Sequence, residues 1–97
     1  LALVGLNPHA GEKGAIGKEE LKIFKPLLAQ FRKRRIPIVG PLVPDAAFLP
    51  SQWSKYSAYL CPYHDQALIP FKAIHGQETG FHLTLGIPFI RTSVDHG

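Results

Sequence analysis

Ala58-Tyr59-Leu60-Cys61-Pro62-Tyr63-His64-Asp65-Gln66 is the stretch that decides how this chain is read. The apolar run Ala58 to Cys61 predicts a strand, and Gln66 to His75 predicts a helix. Tyr63-His64-Asp65-Gln66 is then the corner between them. In an open α/β sheet, ligands bind at the carboxyl ends of strands, in front of the helices that follow. A histidine at such a corner offers a ring nitrogen to a metal or substrate while its backbone stays fixed. Asp65 is placed either to cap the helix or to orient a neighbouring imidazole. A second corner of the same kind, Asn7-Pro8-His9, directly follows the apolar run Leu1 to Leu6. Two histidines at two strand ends can converge in space although they are far apart in sequence.

Outward from these corners, Leu1 to Leu6 is nearly continuous in apolar residues, as expected of a strand covered on both faces. The following loop, residues 7–17, carries glycines at 11, 14 and 17. They can expose backbone N–H groups to an anion, but the spacing is neither a Walker loop nor a dinucleotide fingerprint. A flexible loop is expected. Lys18 to Arg35 predicts an amphipathic helix with Leu21, Phe24, Leu28 and Phe31 on one face and Leu27 widening it. Glu19 and Glu20 suit the first turn and Arg32-Lys33-Arg34-Arg35 the last, while Pro26 predicts a kink. Ile36 to Leu42 reads as a short strand that Pro37 keeps from the middle of a sheet. Asp45 and Ser51 are candidate caps of short helices, and Trp53 is read as packing. Pro70 fits only near the first turn of the helix after His64, and Lys72 falls two turns beyond that histidine. Phe81 to Leu85 and Ile87 to Ser93 predict two further strands, with a bend or bulge at Gly86. Arg91 interrupts an apolar strand, which calls for an anion or a carboxylate beside it.

Ninety-seven residues make at most one small domain. The chain opens inside a strand without a starting methionine and stops on Asp95-His96-Gly97, so it is expected to be a piece of a longer protein. No apolar run approaches the length that crosses a bilayer, and no membrane partner is expected. The one cysteine, Cys61, excludes an internal disulfide, fits a reducing, cytoplasmic compartment, and reads as a buried inert thiol. The net charge of +4 rests mainly on the basic run at one helix end. It gives no basic face with interleaved aromatics, so no nucleic-acid partner is expected. The excess suits an anionic, phosphorylated substrate. Two imidazoles suit zinc, cobalt or another divalent ion, with a further ligand and an open position still required.

Several blocks together carry a resemblance. Leu6-Asn7-Pro8-His9-Ala10-Gly11-Glu12 with Gly17-Lys18-Glu19-Glu20, then Gly40-Pro41-Leu42, Tyr63-His64-Asp65-Gln66, Lys72, and Thr84 through Gly97 resemble the 4-hydroxythreonine-4-phosphate dehydrogenase family, in its order and near its spacing. The resemblance implies part of an isocitrate/isopropylmalate dehydrogenase-like α/β fold, a mixed sheet flanked by helices. Residues 1–97 would form a partial dehydrogenase domain lacking N-terminal and C-terminal portions. It implies a homodimer in vitamin B6 biosynthesis, using NAD or NADP and one divalent ion (zinc, magnesium or cobalt). The ion is held by three histidines gathered across the dimer interface. His9 and His64 match two of them, and the third lies outside this chain. Lys72 and Arg91 match substrate-binding positions, and Lys72 and His64 are the catalytic candidates. His96 and Gly97 open the loop near the cofactor's adenosine end. The implied reaction oxidises 4-phosphooxythreonine at C3 and then decarboxylates it to 3-amino-2-oxopropyl phosphate. One departure stands out: His82 falls where the family has a substrate-binding asparagine. A neutral imidazole cannot reproduce an amide's paired donor and acceptor. That keeps open a sibling dehydrogenase of a four-carbon sugar-acid phosphate. A non-catalytic metal- or phosphate-binding fragment is the alternative from another class.

Overall fold

A computed structural model describes residues 1–94. They fall into two compact units, the first Leu1–Ala67 and the second from Leu68 onward. In the first unit the apolar opening run forms β1 (Ala2–Val4), and all three of its residues are buried. That is the two-sided burial its unbroken hydrophobicity predicts. β2 (Val39–Leu42) and β3 (Tyr59–Leu60) pair with β1 in parallel on opposite sides, giving the order β2-β1-β3. Among the described residues β2 lies at the edge of this sheet, and Pro37 precedes it without interrupting its ladder.

The segment between β1 and β2 is wound differently from the expected kinked α-helix. Glu20–Phe24 is a π-helical turn, and α1 proper is Lys25–Lys33. Pro26 thus falls directly after the π-helical turn, inside a continuous helical run, where its missing N–H removes one ladder hydrogen bond. The irregularity expected at Pro26 is realised as a wider turn immediately before it. The buried face carries Leu28, 1 % exposed, packed with Leu3 and Ile38 and flanked by Phe24 and Phe31. Leu21 and Leu27, expected on this face, are exposed instead. α1 ends in a Schellman turn: the Arg35 N–H donates to Arg32 O (3.0 Å) and the Ile36 N–H to Phe31 O (3.0 Å). Arg35 occupies the left-handed position (φ 59°) that glycine usually fills.

Two short helices, α2 (Pro44–Ala47) and α3 (Pro50–Trp53), lead to β3. Their caps are Val43 and Leu49, each in extended conformation before a proline, so Asp45 and Ser51 lie inside the helices rather than capping them. Trp53, expected to pack, is 41 % exposed, and its indole N–H donates to Phe48 O at 2.7 Å. Tyr59 fixes β3 through its hydroxyl, which donates to Ala47 O (2.8 Å), and by ring contact with Phe48 and Tyr56. Cys61 lies just past β3, half-buried, and burial pushes its thiol pKa up, consistent with an inert thiol.

α4 (His64–His75) starts two residues earlier than expected and contains the unit boundary. Pro70 is consequently interior rather than in the first turn, which removes one ladder hydrogen bond. Gly76, at φ +60°, closes the helix by donating to Lys72 O (2.9 Å). In the second unit, β4 (Phe81–Thr84) and β5 (Arg91–Val94) form an antiparallel pair. Its register sets His82 opposite Ser93 and Thr84 opposite Arg91. Residues 85–90, expected to lie partly in strands, form the connection, with Gly86 at φ +83°. No helix of the described residues is long and apolar enough to cross a membrane.

Leu28 is the keystone of this small core. Leu28→Ala is expected to cost the intact protein about 2–5 kcal/mol, read as a lower urea midpoint with an unchanged m-value.

Candidate functional site

The order β2-β1-β3 makes the carboxyl ends of β1 and β3 a switch point: the chain leaves β1 to one side and returns on the other. A crevice at such a point is where open α/β sheets bind ligands. Both histidine corners open onto it. Leu6, Asn7, Pro8 and His9 from the first corner and Tyr63 from the second line one cleft of about 210 Å³, with Pro44 and Asp45. The corners are tied by Gln66 in the first turn of α4, whose Nε2 donates to Gly5 O at 2.7 Å. Gln66 is only 7 % exposed, and its Oε1 is buried without a donor among the described residues.

The first corner is not the flexible loop expected from its glycines. Pro8–Gly14 coils tightly, and His9, Ala10, Gly11, Glu12 and Lys13 all have φ between 44° and 82°. For residues with a Cβ this left-handed conformation costs about 1–2 kcal/mol each. It persists only where the surroundings enforce it. The enforcing group is Glu20, a carboxylate only 2 % exposed. Its Oε1 accepts from the Asn7 backbone N–H at 2.6 Å and its Oε2 from Asn7 Nδ2 at 2.8 Å. Two glycines make room. A Cβ on Gly11 would come within 2.7 Å of Glu20 Oε2, and one on Gly17 (φ +154°) would run into the Asn7 amide. Burial pushes the Glu20 pKa up, but the hydrogen bonds, led by those from Asn7, outweigh it and hold the carboxyl below its ordinary value.

Glu20 went unnoticed as a site residue in the sequence, where it suited a helix first turn. The signal was present: Glu20, Phe24, Leu28 and Phe31 share helical spacing, so the buried face continues to a carboxylate, not to Leu21.

At the second corner His64 opens α4, and its Nδ1 lies 2.9 Å from Asp65 Oδ1, both side chains largely exposed. Of the two roles open to Asp65, orienting the imidazole is the one realised, and the helix starts ahead of it. A carboxylate on Nδ1 leaves Nε2 as the nitrogen for a ligand. His9 is exposed beside the same cleft and also borders a second hollow of about 630 Å³ with Lys13 and Lys25. No group of three His, Cys, Asp or Glu side chains gathers among the described residues.

In the second unit Lys72 lies on α4, eight residues after His64, and is exposed. His82 is exposed on β4. Arg91, expected to meet an anion or carboxylate, is exposed and donates from Nη1 to the Thr84 hydroxyl across the strand pair at 3.0 Å. The cofactor positions His96 and Gly97 lie outside the described residues.

Residues 1–97 match, end to end, the family described as pyridoxal phosphate biosynthetic protein PdxA. The chain belongs to this family. The 4-hydroxythreonine-4-phosphate dehydrogenases of Desulforapulum autotrophicum and Aquifex aeolicus are each 52 % identical to it over 97 residues. Those matches cover all of this chain but 28 % and 29 % of the two relatives, so the chain spans less than a third of their length. A crystal structure of the Klebsiella pneumoniae 4-hydroxythreonine-4-phosphate dehydrogenase superposes with a TM-score of 0.85 at 44 % identity, over 99 % of this chain and 29 % of that one. The corresponding Burkholderia phymatum structure gives 0.82 at 38 % identity. The expected fold class therefore holds: this PdxA-family chain is part of an isocitrate/isopropylmalate dehydrogenase-like α/β fold.

Because the folded pKa of Glu20 is lowered, its stabilisation is fully present above the ordinary glutamate range and is lost as pH falls through the folded value. Glu20→Gln is expected to cost about 1–3 kcal/mol near neutral pH. The gap from wild type should close in acid, as read by urea denaturation across a pH series.

Proposed function

We propose that the protein carrying this chain is a 4-hydroxythreonine-4-phosphate dehydrogenase of pyridoxal phosphate biosynthesis. It would oxidise 4-phosphooxythreonine with NAD or NADP, and the resulting β-keto acid would lose carbon dioxide to give 3-amino-2-oxopropyl phosphate. Support comes from family membership over the whole chain and, above all, from a switch-point cleft lined by His9 of the first corner and by Tyr63, the neighbour of His64, of the second. Residues 1–97 would belong to one α/β dehydrogenase domain of a cytoplasmic homodimer.

The donor set fits a divalent ion. His9 and His64 are exposed imidazoles at the ends of adjacent strands, and Asp65 holds the His64 ring in the tautomer that frees Nε2. These two would bind zinc, cobalt or magnesium, with a third histidine from outside this chain across the dimer interface. When bound, the ion would supply a Lewis acid for the substrate's C3 hydroxyl. Lys72 would contact that hydroxyl or the phosphate and relay the hydroxyl proton as hydride passes from C3 to the nicotinamide. Arg91 would turn its guanidinium fork from Thr84 to an anionic group of the substrate. His82 would take the adjoining substrate position, and His96 and Gly97 the cofactor.

His82 also favours a second reading, a sibling dehydrogenase of a four-carbon sugar-acid phosphate, since an imidazole there need not meet an amino group. The two are separated by NADH formation and metal stoichiometry of the intact protein with each substrate, alongside His9→Ala and His64→Ala. The expected result is turnover of 4-phosphooxythreonine, with metal and activity lost together in both variants. Turnover of the sugar-acid phosphate alone would establish the sibling, and unchanged turnover in both variants would refute the site.

A further inference from the structure

We propose that Glu20 is the positioning residue for His9: by binding Asn7 through both carboxylate oxygens it holds the left-handed turn in which His9 is presented to a divalent ion. The inference rests on the reading of His9 as a metal ligand and goes beyond it, because Glu20 itself touches neither ion nor substrate in that reading.

Three observations carry it. Glu20 is a buried carboxylate whose described partners are neutral N–H donors, not a cation, and the principal ones both belong to Asn7, two residues before His9. The turn it grips runs through six successive residues with positive φ, His9 to Gly14, and four of them are not glycine. Such a run unwinds unless its base is clamped. The base is clamped twice on the Glu20 side, with Gly11 and Gly17 packed too closely against Glu20 and Asn7 to accept a Cβ. The far end has weaker ties, the Ala15 N–H to Glu12 O (3.2 Å) and the Ile16 N–H to Gly11 O (3.0 Å). The orientation of the His9 imidazole is therefore set from Asn7, and Asn7 is set by Glu20. The carboxylate's second oxygen is what distinguishes this clamp from an ordinary loop contact: one oxygen fixes the backbone and the other fixes the side chain of the same residue.

The test uses the intact protein as wild type, His9→Ala, Glu20→Gln and Leu28→Ala, the last as a comparably destabilised core variant. Two quantities are read: the Kd for Co²⁺ by titration of the apo-protein, and hydrogen exchange of the peptide covering residues 7–17. Glu20→Gln is expected to raise exchange in that peptide and to weaken Co²⁺ at least tenfold, whereas Leu28→Ala leaves the Kd within about twofold. Combining Glu20→Gln with Asn7→Asp puts an amide donor opposite a carboxylate acceptor again and should recover most of the affinity lost in either single variant. Unchanged exchange in Glu20→Gln, or raised exchange with unchanged Kd, overturns the proposal. Equal loss in Glu20→Gln and Leu28→Ala overturns it too, reducing Glu20 to general stability. If wild type and His9→Ala bind Co²⁺ alike, the metal reading itself fails, which the first pair reveals independently of Glu20.

Discussion

A carboxylate taken out of water loses solvation that something else must replace, and at Glu20 the replacement is Asn7. Burial alone would drive the group towards its neutral acid, but short bonds from a backbone N–H and a side-chain amide keep it ionised instead. Neutral donors leave the charge formally unpaired, so they must be held close and in a fixed direction to compensate. That requirement propagates. Asn7 cannot move without stranding a buried charge, and the turn that follows it cannot relax from its left-handed course without moving Asn7. A loop whose glycines suggest mobility is thereby made one of the more constrained segments of the chain.

The second constraint is topological. β1 lies between β2 and β3, so the loops after β1 and β3 leave the same edge of the sheet side by side. Gln66 then fastens the start of α4 to Gly5, the residue after β1. Gly5 has no Cβ, and one built there would come within 2.9 Å of Leu42 O, so the three strand ends and the helix start close on a common point. The meeting of the two corners at one crevice, lined by His9 from the first and by Tyr63, the neighbour of His64, from the second, thus follows from strand order and one buried amide, with no help from sequence spacing.

Those features explain what the sequence could and could not reveal. Strand β1, the two histidine corners and the edge placement of β2 were legible because each is written in local pattern: an unbroken apolar run, a histidine after it, a proline before it. The left-handed turn was not, since His9, Ala10, Glu12 and Lys13 have no intrinsic preference for positive φ and owe it to a residue far along the chain. The helix end expected at Arg35 falls two residues earlier, at Lys33, because Arg35 itself takes the left-handed position that a glycine usually fills. The sequence shows a cation in an apolar strand but not its cross-strand neighbour: antiparallel pairing sets Thr84 opposite Arg91 and supplies a neutral acceptor for one guanidinium nitrogen. The π-helical turn ahead of Pro26 was not legible either, because periodicity assumes a uniform winding that this turn abandons.

That same π-helical turn links the core to the site. Phe24, Leu28 and Phe31 pack towards Leu3 and Ile38, which fixes how α1 is rolled about its axis. Carried back through the wider turn, the same face ends at Glu20, so docking three apolar side chains against β1 and β2 also drives a carboxylate under the loop that leaves β1. The burial of Leu28 and the burial of Glu20 are two consequences of one helix orientation, the first favourable and the second costly unless Asn7 is there to receive it. An apolar residue at position 20 would continue the stripe more comfortably, but it would leave the Asn7 N–H without its acceptor and the Asn7 amide with only its longer bond to Glu19 Oε1 (3.4 Å). The cost of placing a charge on a buried helical face is therefore offset where the chain leaves β1, and the product of that exchange is a fixed direction for the backbone that carries His9.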